Sequence, residues 1–105
     1  MLGALKEWAE AQAAARPELR AVGCFGSYAR GDAGFGSDLD LVAIVDRSDC
    51  PPLHRLCDWP FEALPVPADL LVYTVPEWRR LVSRGDRFSH VMAREVVWVI
   101  GGPPP

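Results

Sequence analysis

The stretch from Gly26 to Val45, GSYARGDAGFGSDLDLVAIV, constrains the fold more than any other feature of the chain. It opens on a glycine-serine turn, passes through a glycine-rich connection, and ends in an apolar run that predicts a strand. Asp38 and Asp40 stand at the head of that strand and flank a single leucine. Because successive side chains of a strand point to opposite faces, the two carboxylates are expected to lie side by side.

The rest of the chain alternates helical and strand patterns around this stretch. Amphipathic spacing, proline positions and glycine stops predict helices, and short apolar runs predict strands. The helices are expected over residues 2–15, 27–30, 53–58 and 76–83 and after Asp86, and the strands over 19–26, 38–45, 68–75 and 96–100. This order predicts an α+β fold with a small mixed β-sheet of about four strands and helices packed on one face.

Length and composition limit the class of protein. A chain of 105 residues fits one domain, which we place at residues 1–101, with residues 102–105 as a flexible proline tail. Half of the residues are apolar and 24% are charged, as in soluble globular proteins. The longest apolar runs are too short to span a membrane, and no signal-peptide pattern opens the chain, so a complete cytoplasmic protein is expected. The net charge of −3 argues against strong nucleic-acid binding.

The paired aspartates and the glycine-serine turn predict complementary halves of one site. Adjacent carboxylates repel each other, and a divalent cation between them removes that repulsion. Mg2+ prefers such oxygen ligands and completes its shell with substrate phosphates. Gly26 lets the backbone approach a phosphate, and the Ser27 hydroxyl with the following N–H groups can bind its oxygens. The alternative is that Gly26 and Ser27 form only a turn and that Asp38 and Asp40 are solvated strand residues.

Two common phosphate-binding motifs are absent. Gly26 and Gly31 have the spacing of a P-loop, but Asp32 and Ala33 replace its lysine and its serine or threonine. The sequence GFGSDL lacks the last glycine of a dinucleotide-binding fingerprint. Nucleotide binding by either mechanism is therefore excluded.

With a glycine-serine pair, a spacer of ten residues and Asp-x-Asp between apolar residues, the stretch resembles the signature of the DNA-polymerase-beta-like nucleotidyltransferase superfamily. The resemblance implies a palm-type fold and a third carboxylate on a later strand, where Asp69 stands. It implies that Asp38, Asp40 and Asp69 are the catalytic residues and the ligands of two Mg2+ ions. Gly26 and Ser27 would bind the phosphates of ATP. Arg30 would contact a phosphate or form a salt bridge with an acid such as Asp32.

The size of the chain resembles that of a minimal nucleotidyltransferase, the catalytic core without an appended helical domain. That resemblance implies an antitoxin encoded beside a helical HEPN-type partner, with AMP transferred from ATP to a tyrosine of the partner. Two alternatives stay open, namely an antitoxin that neutralises its partner by binding alone and a transferase for a small molecule such as an aminoglycoside. Exposed apolar surface and the missing domain favour association, as a homodimer or as a hetero-oligomer.

Overall fold

The computed structural model describes residues 2–31, 38–48 and 59–104. The glycine-rich connection 32–37 and the predicted helix 53–58 lie outside the described residues. The regular elements are, in chain order, α1 (Leu2–Ala15), β1 (Leu19–Phe25), α2 (Ser27–Arg30), β2 (Leu39–Val45), a 3-10 helix (Phe61–Ala63), β3 (Ala68–Thr74), α3 (Val75–Val82), α4 (Arg87–Arg94) and β4 (Val97–Ile100).

The described strands form one mixed sheet. Their order across the sheet is β3-β2-β1-β4, with β1 antiparallel to both of its neighbours and β2 parallel to β3. The predicted α+β class and the four-stranded mixed sheet are therefore confirmed. The parallel pair is possible because the long connection after β2 returns the chain to the end of the sheet where β2 begins.

Helices cover both faces of the sheet, so the expectation of helices on one face is wrong. Leu41 of β2 belongs to a buried cluster with Trp8 of α1. Val42, the next residue along the strand, belongs to a separate cluster with Trp78 of α3 and Met92 of α4. The physical reason lies in β2 itself, whose apolar residues are buried on both faces, and a strand of that kind needs cover on each side.

The segment before β3 is fastened to α1 by aromatic packing. The indole Nε1 of Trp8 donates a hydrogen bond of 3.0 Å to the carbonyl oxygen of Pro60. The ring centroids of Trp8 and Trp59 are 5.7 Å apart, and the Arg16 guanidinium lies 4.0 Å from the centre of the Trp59 ring. Both tryptophans are buried.

Side-chain caps fix the starts of α3 and α4. The Thr74 hydroxyl accepts a hydrogen bond from the Glu77 N–H, while the Glu77 carboxylate accepts one from the Thr74 N–H at 2.8 Å. The Asp86 carboxylate accepts from the Ser89 N–H at 2.8 Å and caps α4, so the helix predicted after Asp86 is confirmed.

The residue after β4 lies beside the first residues of β1. Gly101 has a φ of 62°, and a Cβ there would overlap the backbone of Arg20. Residues 102–104 follow without regular secondary structure, and the assignment of 102–105 as a flexible tail stays a prediction. Among the described helices, none has the length and apolar character needed to cross a membrane.

Candidate active site

Asp40 and Asp69 lie next to each other across the parallel strand pair. Asp40 is the second residue of β2 and stands directly opposite Asp69 of β3 in the strand register. Residues opposite one another in a ladder project their side chains from the same face, so the two carboxylates share one surface. Asp38 precedes β2 by one residue and is exposed, as is Asp69. The structure thus brings the two halves of the predicted carboxylate set to one end of the sheet.

Backbone pairing at the start of β2 holds this register in place. The Leu39 N–H donates to the Pro67 carbonyl oxygen at 2.8 Å, just before the ladder between β2 and β3 begins. Leu39 itself is buried and belongs to the cluster on the α1 side. With Leu39 turned into that core, its neighbour Asp40 must point to the opposite face of the sheet.

Gly26 brings the glycine-serine turn into contact range of the Asp40 carboxylate. Its backbone has φ 74° and ψ −149°, a region that only glycine adopts without strain. A Cβ at this position would lie 2.5 Å from Oδ2 of Asp40. The two halves of the motif, fourteen positions apart in the sequence numbering, therefore meet in space.

The turn leads directly into α2, which carries Ser27 and Arg30. The Arg30 N–H donates to the Gly26 carbonyl oxygen at 3.0 Å, and Gly31 ends the helix in the left-handed conformation with φ 79°. Packing of α2 against β1 and β2 keeps Ser27, its first residue, at the same end of the sheet as Asp40. Asp32, the alternative partner considered for Arg30, lies outside the described residues.

Electrostatic interactions join four of the predicted residues. Partial burial raises the pKa of Asp40, and the charges of Asp69 and then Asp38 raise that pKa further. The nearby guanidinium of Arg30 acts in the opposite direction and lowers it. The pKa of Asp40 therefore depends on the charges of Asp38, Asp69 and Arg30 together.

The donor set at this end of the sheet fits a hard divalent cation in its chemistry. Asp38, Asp40 and Asp69 offer carboxylate oxygens, and the glycine at position 26 leaves space beside Oδ2 of Asp40 that any other residue would fill. A cation would also offset the mutual repulsion that raises the pKa of Asp40. Within the described ranges, no group of three Asp, Glu, His or Cys side chains has the geometry to hold one metal ion.

Sequence reasoning missed two aromatic residues and one leucine beside the carboxylates. Phe25 stands opposite Asp40 on the β1 side, and its ring lies 6.3 Å from that of Phe88 in an edge-on arrangement. Leu71 follows Asp69 by two residues on β3 and is exposed. The alternation of side chains along β1 and β3 could have identified Phe25 and Leu71, because it places them on the same face as the carboxylates.

Comparison with known proteins assigns most of the chain to one family. Residues 6–84 match the family described as nucleotidyltransferase domain. A search of curated protein sequences found no significant match.

Two solved structures have a similar fold. A crystal structure of a proposed nucleotidyltransferase from Sulfolobus solfataricus has a TM-score of 0.66 and 26% identity, covering 93% of this chain and 78% of that chain. A crystal structure of a toxin-antitoxin with AMP-PNP has a TM-score of 0.65 and 19% identity, covering 92% of this chain and 73% of that chain. The second likeness concerns the fold alone. With most of its length matched to the family, and with the sheet and the glycine-serine turn arranged as described, this chain belongs to the nucleotidyltransferase domain family.

Proposed function

We propose that this protein transfers AMP from ATP to a hydroxyl group of a partner protein, a tyrosine of a helical HEPN-type toxin. The observation that carries the proposal is the position of Asp40, which lies directly opposite Asp69 and within contact range of Gly26. A site for nucleotidyl transfer needs a phosphate-binding turn and carboxylates close together, and the short distance between position 26 and the Asp40 carboxylate supports this assignment. Nucleotidyltransferase domains generally use a nucleoside triphosphate and a divalent metal ion.

Each residue of the site has a distinct task in this reaction. The glycine at position 26 admits the triphosphate close to the backbone, and the Ser27 hydroxyl binds its β- and γ-phosphate oxygens. Arg30, whose charge lowers the pKa of Asp40, contacts a phosphate in this proposal. Asp38 and Asp40 would hold Mg2+, with Asp69 as a further ligand. Bound there, the metal would supply charge neutralisation at the phosphates and activation of the attacking hydroxyl.

Asp69 faces the acceptor in the proposed mechanism. It lies on the edge strand of the described sheet and is exposed, whereas Asp40 is half-buried and adjoins the phosphate turn. The acceptor oxygen forms a bond to the α-phosphorus, the bond from that phosphorus to the β-phosphate oxygen breaks, and pyrophosphate leaves. The carboxylate of Asp69 takes the hydroxyl proton. Positioning and charge account for the catalysis, as in phosphoryl transfer generally.

One structural neighbour supports a protein acceptor. The toxin-antitoxin structure that shares this fold contains AMP-PNP. A cytoplasmic antitoxin that works by covering its partner, without chemistry, is the second candidate, since the same fold serves it.

The first test combines purified protein, ATP, Mg2+ and the helical protein encoded beside its gene, followed by the intact mass of that partner. We expect a gain of AMP units with the native chain and none with Asp38→Asn. The matched control is Asp46→Asn, which neutralises an acid just beyond the other end of β2 whose partner is Arg20 at 2.8 Å. This exposed ion pair contributes little to stability, so the control should fold and transfer AMP normally.

The other outcomes separate the alternatives. A stable complex whose mass never changes would favour the antitoxin that acts by binding alone. The absence of both a complex and a mass gain would direct the search to small-molecule acceptors. For such an acceptor, too, transfer should be lost in Asp38→Asn and kept in Asp46→Asn.

A further inference from the structure

The surface next to Asp69 is apolar. Leu71 is two residues further along β3 and 37% exposed. Among the described residues, only Leu71 and Val97 are large hydrophobic residues with exposure of this degree. Val97 lies on β4, at the opposite edge of the sheet. A single exposed leucine is ordinary, but this one adjoins the carboxylate that faces the acceptor.

The packing of β3 explains why Leu71 is left uncovered. Leu70 points to the other face and is buried in the cluster on the α1 side. Tyr73, two residues beyond Leu71 on its own face, packs against Trp78 of α3 with ring centroids 6.3 Å apart. Cover by α3 thus reaches Tyr73, while Leu71 lies between the covered end of the strand and Asp69.

The distance along the strand suits one acceptor group. Two residues of a β-strand span about 7 Å, so Asp69 and Leu71 lie within reach of a single side chain or of adjoining groups in one molecule. On the other side of Asp40 stand Gly26 and the ring of Phe25. The glycine-serine turn therefore lies on one side of the carboxylates. Leu71 lies on the other side, on the edge strand of the described sheet.

We propose that Leu71 is a specificity-determining residue for the acceptor, an inference that rests on the proposed function. Its side chain packs against the apolar body of the group whose hydroxyl loses its proton to Asp69. In that step the hydroxyl oxygen bonds to the α-phosphorus of ATP as pyrophosphate leaves. In a phenol the hydroxyl is attached to an apolar aromatic ring, whereas the hydroxyl of a sugar or of serine has no such ring beside it. Leu71 therefore favours a phenolic acceptor.

The test uses two small acceptors that share a backbone and differ in the hydroxyl, N-acetyltyrosinamide and N-acetylserinamide. With ATP and Mg2+, the native chain should prefer the phenolic acceptor in kcat/KM by about tenfold. In Leu71→Gln this preference should fall several-fold through a higher KM for N-acetyltyrosinamide, while kcat and the KM for ATP stay unchanged. Val97→Gln replaces the other exposed hydrophobic residue, on the opposite edge of the sheet, and should leave the preference intact.

An unchanged preference in Leu71→Gln would overturn the inference, as would an equal fall in Val97→Gln. If neither small acceptor is modified, methyl NMR on the leucine- and valine-labelled full chain decides the matter. With a non-hydrolysable ATP analogue and Mg2+ bound, added N-acetyltyrosinamide should shift the methyl signals of Leu71 and not those of Val97. Absence of that shift would refute the role of Leu71, whereas absence of AMP transfer to every acceptor, the partner protein included, would refute the proposed function.

Discussion

Gly26 is the residue at which backbone geometry and site chemistry depend on each other most directly. Its φ of 74° and ψ of −149° belong to a region nearly closed to other residues, and a Cβ there would meet Oδ2 of Asp40 at 2.5 Å. Gly26→Ala should therefore lower the free energy of unfolding by about 1–3 kcal/mol and abolish AMP transfer by displacing the Asp40 carboxylate. Denaturant unfolding and the intact-mass assay measure the two effects.

The control for Gly26→Ala is Gly31→Ala, at the other end of α2. Gly31 also has a positive φ, 79°, but a Cβ there would have no heavy atom within 4 Å. The substitution should cost about 1–2 kcal/mol from backbone strain alone and leave transfer by the folded fraction unchanged. If both variants lost activity equally per folded molecule, the contact between position 26 and Asp40 would not matter for function.

At the scale of elements, the segment before β3 depends on α1. Trp8 donates to the Pro60 carbonyl oxygen, and this contact joins parts of the chain 52 residues apart. The segment leads to Pro67, whose carbonyl oxygen accepts from the Leu39 N–H where the pairing of β2 and β3 begins. An anchor on α1 therefore supports the register that places Asp69 opposite Asp40.

Trp8→Phe should loosen this anchor while keeping an aromatic ring in the core. Loss of the hydrogen bond to Pro60 should reduce the free energy of unfolding by about 1 kcal/mol and speed amide hydrogen exchange in β3. Trp98→Phe is the matched control because it makes the same change of side chain in the layer on the other face, away from Pro60. Equal exchange rates in β3 for both variants would show that the anchor does not reach the site.

Local signals predicted most elements of this fold, because they reside in a few adjacent residues. The start of α4 follows from Asp86, and the end of α2 follows from Gly31, each by the chemistry of a single cap. The opposite facing of Leu39 and Asp40 likewise follows from the period of a strand. Such features need no knowledge of the rest of the chain.

The contacts that escaped prediction are those between distant parts of the sequence. Cover on both faces of the sheet depends on which helix meets which side of β2, and the pattern of α1 alone does not specify its partner. Phe25 comes near the site only through the pairing of β1 with β2, whereas Leu71 follows Asp69 by two residues on β3 itself. The position of Asp69 was expected from a family resemblance, whereas its register with Asp40 required the folded sheet.

At the scale of the whole molecule, the carboxylates of the site oppose the stability of the fold. The chain carries a net charge of −3, and Asp38, Asp40 and Asp69 concentrate negative charge at one end of the sheet. Burial and these neighbours raise the pKa of Asp40 above its usual value, which means that its ionised form is disfavoured in the folded state. The stabilising contribution of Asp40 is present when it is protonated and is lost as the pH rises through its raised pKa.

Asp40→Asn should therefore stabilise the metal-free protein at pH 7 while removing its activity. In the presence of a chelator we expect a rise of the melting temperature on the order of a few degrees, because the amide carries no charge to be buried or repelled. The gain should shrink as the pH falls toward the usual range of a carboxyl group, where Asp40 of the native chain takes up a proton. Mg2+ should narrow the gap at pH 7 by binding the native carboxylates and stabilising that form alone. The explanation would be contradicted if Asp40→Asn lowered the melting temperature at pH 7. It would also be contradicted if Mg2+ left the difference in melting temperature between the variant and the native chain unchanged.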